Sequence, residues 1–395
     1  MTTTSSTSTI VSPSREVASS GRLLSLDVLR GLTIAFMILV NNNGNEAAAY
    51  WSLKHAAWNG FTPTDLVFPT FLFLVGITTV FSIASRLAKG AARQSLFLHV
   101  LRRSIILYLL GLVVNSFPYF HLHTMRFYGV LPRIAICYLI TASLYLISQG
   151  WRSKVVLVVA ALVGYWILMR FVPVPGYGVP IHDVPLLDRD ANLTAWLDRQ
   201  IFSAPHLYER TRDPEGLLST LPAMATALLG LLTGIWLRTP RTLAVKCIGI
   251  ATAGLSGVLL GGLWNLSFPI NKKLWTSSYV LFGGGLSLLL LALCLLIVDL
   301  REKNPTKPDH SRFLSPFFVF GTNAITAYVF SELLQSTLNS IHPQQNLNLQ
   351  RVLYQSILHV VPDQAFASLL YSLGFVAICW LVISVLYRRR IFIRV

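Results

Sequence analysis

Charge is what this chain most lacks. Only 12% of its residues are Asp, Glu, Lys or Arg and 54% are hydrophobic, whereas roughly a quarter of a soluble domain is charged. An ordinary soluble enzyme is excluded, and the mean hydropathy of +0.60 implies a polytopic membrane protein. Acidic residues are especially few, 16 against 32 basic ones, for a net charge of +16. An excess of that size can mark a nucleic-acid binder. Here, however, the basic residues form short clusters between apolar runs, as positive-inside loops do, so no nucleic-acid partner is expected. The four cysteines, Cys137, Cys247, Cys294 and Cys379, lie in or beside apolar runs without metal-ligand spacing. Neither a disulfide framework nor a metal site is expected. A P-loop, a dinucleotide glycine fingerprint, a GxSxG elbow and a fixed-period repeat are all missing. The Ser/Thr-rich residues 1–20 have no apolar stretch of signal-peptide length and read as a disordered cytoplasmic tail.

What is present is a series of apolar runs, each about 20 residues long, enough to cross a bilayer. They fall at 24–43, 66–86, 97–117, 130–148, 153–172, 217–237, 243–265, 276–299, 313–338 and 364–388. The fold class is therefore an all-α polytopic membrane protein of about ten transmembrane helices. In alternate segments, twenty Lys and Arg fall on one side and eleven on the other, with Arg30 inside the first helix. Cations stay on the cytoplasmic side, so both termini are expected to be cytoplasmic. Residues 21–395 then form a single transmembrane domain with an extracytoplasmic loop at 173–216, which holds seven acidic residues. Within it, LTAWLDRQIF (193–202) suits a short surface helix, and Asp213 and Pro214 suit the N-cap and first-turn proline of the sixth span. Residues 349–361 read as an amphipathic interfacial segment.

The densest chemistry lies in LKHAAWNGFTPTDLVFPTFLFLVG (53–76). His55 is either an interfacial ring packed between Trp51 and Trp58 or a neutral imidazole able to take a proton or an acyl group. Asp65 is either the third residue of a capping box opened by Thr62 and Pro63 or the carboxylate that orients His55. In VNNNGNE (40–46), Asn43 and Asn45 suit a helix end, whereas Asn41 and Asn42 lie closer to hydrocarbon and could meet a reacting carbonyl. Asp27 and Arg30 suit an intrahelical ion pair, or Arg30 a phosphate contact at the inner mouth. Arg126, Arg133, Lys272 and Lys273 run against the charge bias. They either snorkel or bind an anionic group. Asn323 and Glu332 fall inside the ninth span, where polar side chains are site candidates.

The successive stretches SLDVLRGLTIAFMILVNN, KHAAWNGFTPTDLVFPTFLFLVG, RFYGVLPRI, DPEGLLSTLPAMATALLG and PINKKLWTSSYV resemble, in order, the signatures of the heparan-α-glucosaminide N-acetyltransferase family. The resemblance covers most of residues 22–335. It implies transfer of an acetyl group from cytosolic acetyl-CoA to a glucosamine-type amine across the membrane. It places the family's active histidine on His55, its aspartate on Asp65 and its asparagine on Asn41 or a neighbour. Trp58, Asn59, Arg126, Lys272 and Glu332 become candidate substrate-binding residues, and Arg30 and Asn323 candidate contacts for acetyl-CoA. Two departures stand out: a slightly longer loop before His55, and no large lumenal domain ahead of the first helix. The expectation is a bacterial-type relative in the cell inner membrane, acting on small amino sugars or glycan ends. The lipid bilayer and a second copy of the chain are further candidate partners. Two other readings are an amino-sugar permease and a transmembrane O-acyltransferase of cell-surface glycans. General base and acetyl carrier both remain open for His55.

Overall fold

In hydrocarbon every backbone polar group must be satisfied within the segment, so apolar runs of this length fold as helices. The computed structural model describes residues 23–300, 311–343 and 347–393; the tail expected over 1–20 lies outside them. The first membrane-length helices are α1 (Leu24–Asn41), α2 (Val67–Ala88), α3 (Arg93–Ser116), α4 (Val130–Ile147) and α5 (Trp151–Phe171). A short α6 (Leu193–Ile201) follows in the long loop, then α7 (Thr220–Leu237), α8 (Leu243–Trp264) and α9 (Ser277–Cys294), which runs on as a π turn over Leu295–Leu300. Last come α10 (Ser311–Thr322), α11 (Ala324–Ser340), α12 (Leu349–Val360) and α13 (Gln364–Arg388). Among the described residues nine helices are long and apolar enough to span a membrane, and α10 with α11 makes a tenth, bent by 86°.

That bend corrects the reading of 313–338 as one straight span. At the break Asn323 leaves helical geometry (φ −126°, ψ 41°). Its amide donates to Ile391 O at 3.2 Å, and its carbonyl accepts from Ile393 N–H at 3.1 Å. The C-terminal segment thus satisfies polar groups that a continuous helix would not present. A second correction concerns the start of α7, at Thr220 rather than near Asp213. Asp213 instead accepts from Glu215 N–H in the turn ahead of α7, while its carboxylate also pairs with Arg126. The expected surface helix is α6, capped by Asn192, whose side chain accepts from Ala195 N–H at 2.9 Å. The amphipathic segment at 349–361 is α12.

α2 and α7 cross at the centre of the bundle. At that crossing a Cβ on Gly76 would meet Ala227 O, and one on Gly230 would meet Phe73 O. Small residues allow such backbone approach where lipid gives no hydrophobic drive for association. α1 crosses α10 in the same way, through Gly31 and Gly321. Two ends of the bundle result. The loops after α1, α5 and α8 meet at one end, which we call the loop end. The start of α1 and the end of α13 meet at the other, among arginines of α2 and α3, which we call the basic end.

Candidate active site

At the loop end the chain leaves α1, makes a single 3-10 turn at Trp51–Leu53 and becomes extended at Lys54. It then reaches Thr62, whose extended backbone starts the 3-10 turn Pro63–Leu66 leading into α2. Asp65 closes that turn as a capping box. Its Oδ2 accepts the N–H groups of Thr62 at 3.0 Å and Ala56 at 3.1 Å. Its Oδ1 lies 2.7 Å from Nδ1 of His55. Capping and orientation are therefore one arrangement: each carboxylate oxygen serves one of them. From α9, the hydroxyl of Tyr279 donates to Asp65 O at 2.6 Å and pins the turn from below.

The Asp65 side chain is fully buried, while 35% of the His55 side chain stays exposed. With its hydrogen on Nδ1 facing the carboxylate, the imidazole leaves Nε2 as an acceptor. Burial first, and then the nearby Lys272 ammonium, hold His55 below its ordinary value of 6.5, against the opposing pull of Asp65 and Glu215. Lys272 approaches from the loop between α8 and α9, its Nζ 3.2 Å from Nε2 and 3.4 Å from Nδ1 of the ring. That loop is firmly held. Asn271 accepts from Leu274 N–H at 2.9 Å and donates to Asn59 Oδ1 at 3.1 Å, and Gly60 N–H donates to Ile270 O at 2.8 Å. Trp275 adopts φ 52°, rare for a bulky residue, while fully buried and donating to Thr226 Oγ1 at 3.0 Å.

The structure thus brings His55, Asp65 and Lys272 together, with Asn59 in the neighbouring loop. Arg126 is occupied elsewhere. It pairs with Asp213 through Nε at 2.7 Å and Nη2 at 2.5 Å, and with Glu215, while Tyr208 covers its guanidinium. Trp58 donates to Leu187 O at 2.8 Å and takes Arg212 and Arg189 over its ring, fastening the long loop. Asn41 lies beside Glu332 in a separate pair. Glu332 has no ion-pair partner among the described residues. Asn42 donates to Ile38 O at 2.8 Å, and Asn43 to Val40 O at 3.0 Å, as helix-end residues do.

At the basic end lies a cavity of about 850 Å³, in the size range of ligand sites. Arg30, Arg86, Arg102, Arg103 and His99 line it, with Asp27 the only carboxylate among its described lining residues. Arg30 pairs with Asp27 at 3.4 Å and donates to Gly321 O at 2.9 Å. Asn323 is not in the lining; its side chain holds the C-terminal segment. Phe71 and Ile325 also line a separate void of about 10 Å³, together with Phe68, Met37 and Tyr328. Ile325, Tyr328 and Glu332 share one face of α11 by their spacing, as Arg30, Met37 and Asn41 do on α1. The basic cavity, the void and the Asn41–Glu332 pair therefore lie in order along the seam between α1 and α11. The sequence reading missed the partner role of Glu215, the brace from Tyr279, and the gathering of Arg86, Arg102 and Arg103 around one space. The only prior signal for the arginines was their place in the positive-inside count.

Residues 22–266 match the family described as heparan-alpha-glucosaminide N-acetyltransferase, catalytic. The chain belongs to this family. Two curated proteins named heparan-alpha-glucosaminide N-acetyltransferase are similar to it. The one from Mus musculus is 28% identical over 375 residues, covering 82% of this chain and 55% of its own length. The one from Homo sapiens is 28% identical over 367 residues, covering 80% and 53% respectively. The chain thus spans about half the length of the curated relatives it matches. The matched family region holds His55, Asp65, Asn41 and Arg126 together with most of the basic cavity, while Lys272, Asn323 and Glu332 lie beyond it.

Proposed function

We propose that the protein is a transmembrane N-acetyltransferase, a single-domain acyltransferase over 21–395, that moves acetyl from acetyl-CoA to the amine of a glucosamine-type sugar. The observation that carries this reading is the placement of base and cation cluster at opposite ends of α2. Asp65, which holds His55, stands at its start, and Phe71, Val75, Thr78, Ser82 and Arg86 line the basic cavity further along. At 1.5 Å per residue, Asp65 and Arg86 are about 30 Å apart, the thickness of a hydrocarbon core. The arginines suit the phosphates of a nucleotide thioester, and the seam past Phe68 and Tyr328 suits its thin acyl-bearing arm. Movement of those side chains would open the seam. Following the charge count, the basic end faces the cytoplasm of the inner membrane and the sugar arrives at the loop end.

In this reaction the amine nitrogen attacks the thioester carbonyl; the C–N bond forms, the C–S bond breaks, and the amine proton must leave. His55 Nε2 accepts that proton and returns it to the departing sulfur, while Asp65 holds the ring and stabilises its charge. Equally, Nε2 can carry the acetyl group between the two substrates. Glu332, a carboxylate beside Asn41 at the far end of the seam, suits the ammonium of the acceptor. The full chain in proteoliposomes, given acetyl-CoA and glucosamine, tests the reading by mass spectrometry. N-acetylated sugar is expected. An ester product would favour an O-acyltransferase, and unmodified sugar carried inside without acetyl-CoA dependence would favour a permease; either overturns the proposal. Labelled acetyl-CoA without sugar separates the two routes: label retained by the wild type but absent from His55→Ala marks the acetyl-histidine.

A further inference from the structure

Lys272 stands 3.2 Å and 3.4 Å from the two nitrogens of one imidazole. Near-equal distances to both place its Nζ alongside the ring rather than in line with one lone pair. Nδ1 is already engaged by Asp65 at 2.7 Å. Three groups from two loops and the start of α2 therefore share a small, partly buried volume. Glu215, the next carboxylate to act on them, is paired with Arg126. Lys273, the neighbouring cation, is paired with Glu209 at 2.8 Å, and Arg133 is packed over Trp275.

Within this volume one carboxylate in contact faces two basic groups. Two cations a little over 3 Å apart repel strongly where water is partly excluded. The trio therefore holds one excess proton rather than two, and ordinary affinities decide where it resides. A lysine amine titrates near 10.5 and an imidazole near 6.5. Burial first, with Lys273 and Arg133 adding to it, lowers Lys272 from that value against the opposing pull of Glu215 and Asp65. In water the amine is the stronger base of the two.

We propose that Lys272 is a positioning residue whose ammonium stands beside His55 and keeps the imidazole neutral, so that Nε2 is free to accept a proton at neutral pH. This differs from sugar binding, the role its sequence position suggests. It rests on the proposed acetyl transfer only for its consequence, not for its electrostatics. Lys272 removes the like-charged state that would silence the base, and Asp65 prevents that same repulsion from displacing the ring. His55 then works as a base without needing alkaline conditions.

The test is histidine-labelled NMR of the full chain in nanodiscs across a pH series, with His55 assigned by difference against His55→Gln. Wild-type His55 is expected to titrate below 6.5. In Lys272→Met its midpoint should rise by about one pH unit or more, while Lys272→Arg, which keeps the charge, leaves it low. The acid limb of kcat/KM for acetyl transfer should move with the same midpoints. If Lys272→Met does not fold, Lys272→Gln carries the same expectation. An unchanged midpoint in the neutral variants overturns the proposal, and so does a wild-type His55 titrating at or above 6.5. Lack of acetylated sugar from wild type would refute the proposed function alone, because the titration is read without turnover.

Discussion

Asp65 Oδ1 lies 2.7 Å from His55 Nδ1, while Oδ2 of the same carboxylate accepts from Thr62 and Ala56 backbone N–H groups. Asp65→Asn separates these two tasks. The amide oxygen can still accept the backbone donors, so the turn into α2 should lose about 1 kcal/mol or less. The charge that orients His55 disappears, and kcat should fall by about 10²-fold or more with the acetyl-CoA requirement nearly unchanged. Kinetics and thermal unfolding measured on the same membranes check both halves. Full activity would remove Asp65 from the catalytic role and leave it as a cap.

The basic cavity makes a separate claim. Arg86 and Arg102 line it from α2 and α3, and neither touches the His55 site. Replacing both with Gln should raise the acetyl-CoA KM by about tenfold, the effect of about 1.4 kcal/mol, and leave the glucosamine KM within twofold. The acetyl-CoA KM should also depend less on salt, because fewer phosphate contacts remain to be screened. Steady-state kinetics at two ionic strengths read this. A change confined to the sugar KM would reverse the assignment of the two ends.

Much of this architecture is legible in the sequence because the bilayer fixes helix length, and the spans stand out as apolar runs. The His55–Asp65 contact is legible for a different reason: only ten residues separate the pair, and a capping box fixes one of them. Lys272 reaches the same ring from 217 residues away, a closeness that no local pattern encodes. The Asp-Pro pair at 213 imitates a helix start, yet Arg126, 87 residues earlier, claims the carboxylate. Likewise the break at Asn323 depends on backbone groups of Ile391 and Ile393, about 70 residues on. Distant partners override local signals wherever a buried polar group has to be satisfied.

Asp198 on α6 supplies a pH dependence of known sign. It is fully buried, with Oδ1 accepting from Leu217 N–H at 3.0 Å and Oδ2 without a partner. Burial, with help from the Asp213 charge, pushes its carboxyl up to about 7 from 3.8. The folded chain therefore holds a proton that the unfolded chain releases. Its stabilisation is complete below the unfolded value and is lost as pH rises through about 7. Asp198→Asn keeps the acceptor and cannot ionise. The variant's stability should come closest to wild type near pH 4, and its advantage should grow by about 1 kcal/mol or more by pH 8.5. An Asn variant less stable at both pH values would refute the assignment.

Arg126 tests whether the loop end is held by charge or shaped by it for substrate. Its guanidinium contacts Asp213 and Glu215 at once, and both carboxylates are buried. Asp213 also accepts from the backbone N–H groups of Tyr208 and Glu215 at 3.2 and 2.9 Å, so this one pairing organises the turn ahead of α7. Arg126→Gln leaves two buried carboxylates without their cation, a loss of about 3–5 kcal/mol. Lower yield, a lower unfolding temperature and proteolysis within 203–219 are the expected results, with the sugar KM of the surviving folded fraction near wild type. The triple variant Arg126→Met, Asp213→Asn, Glu215→Gln removes the unpaired charges and should regain part of that stability, since replacing a whole buried ion pair costs less than breaking it. A stable Arg126→Gln protein with a raised sugar KM would instead make Arg126 a substrate contact.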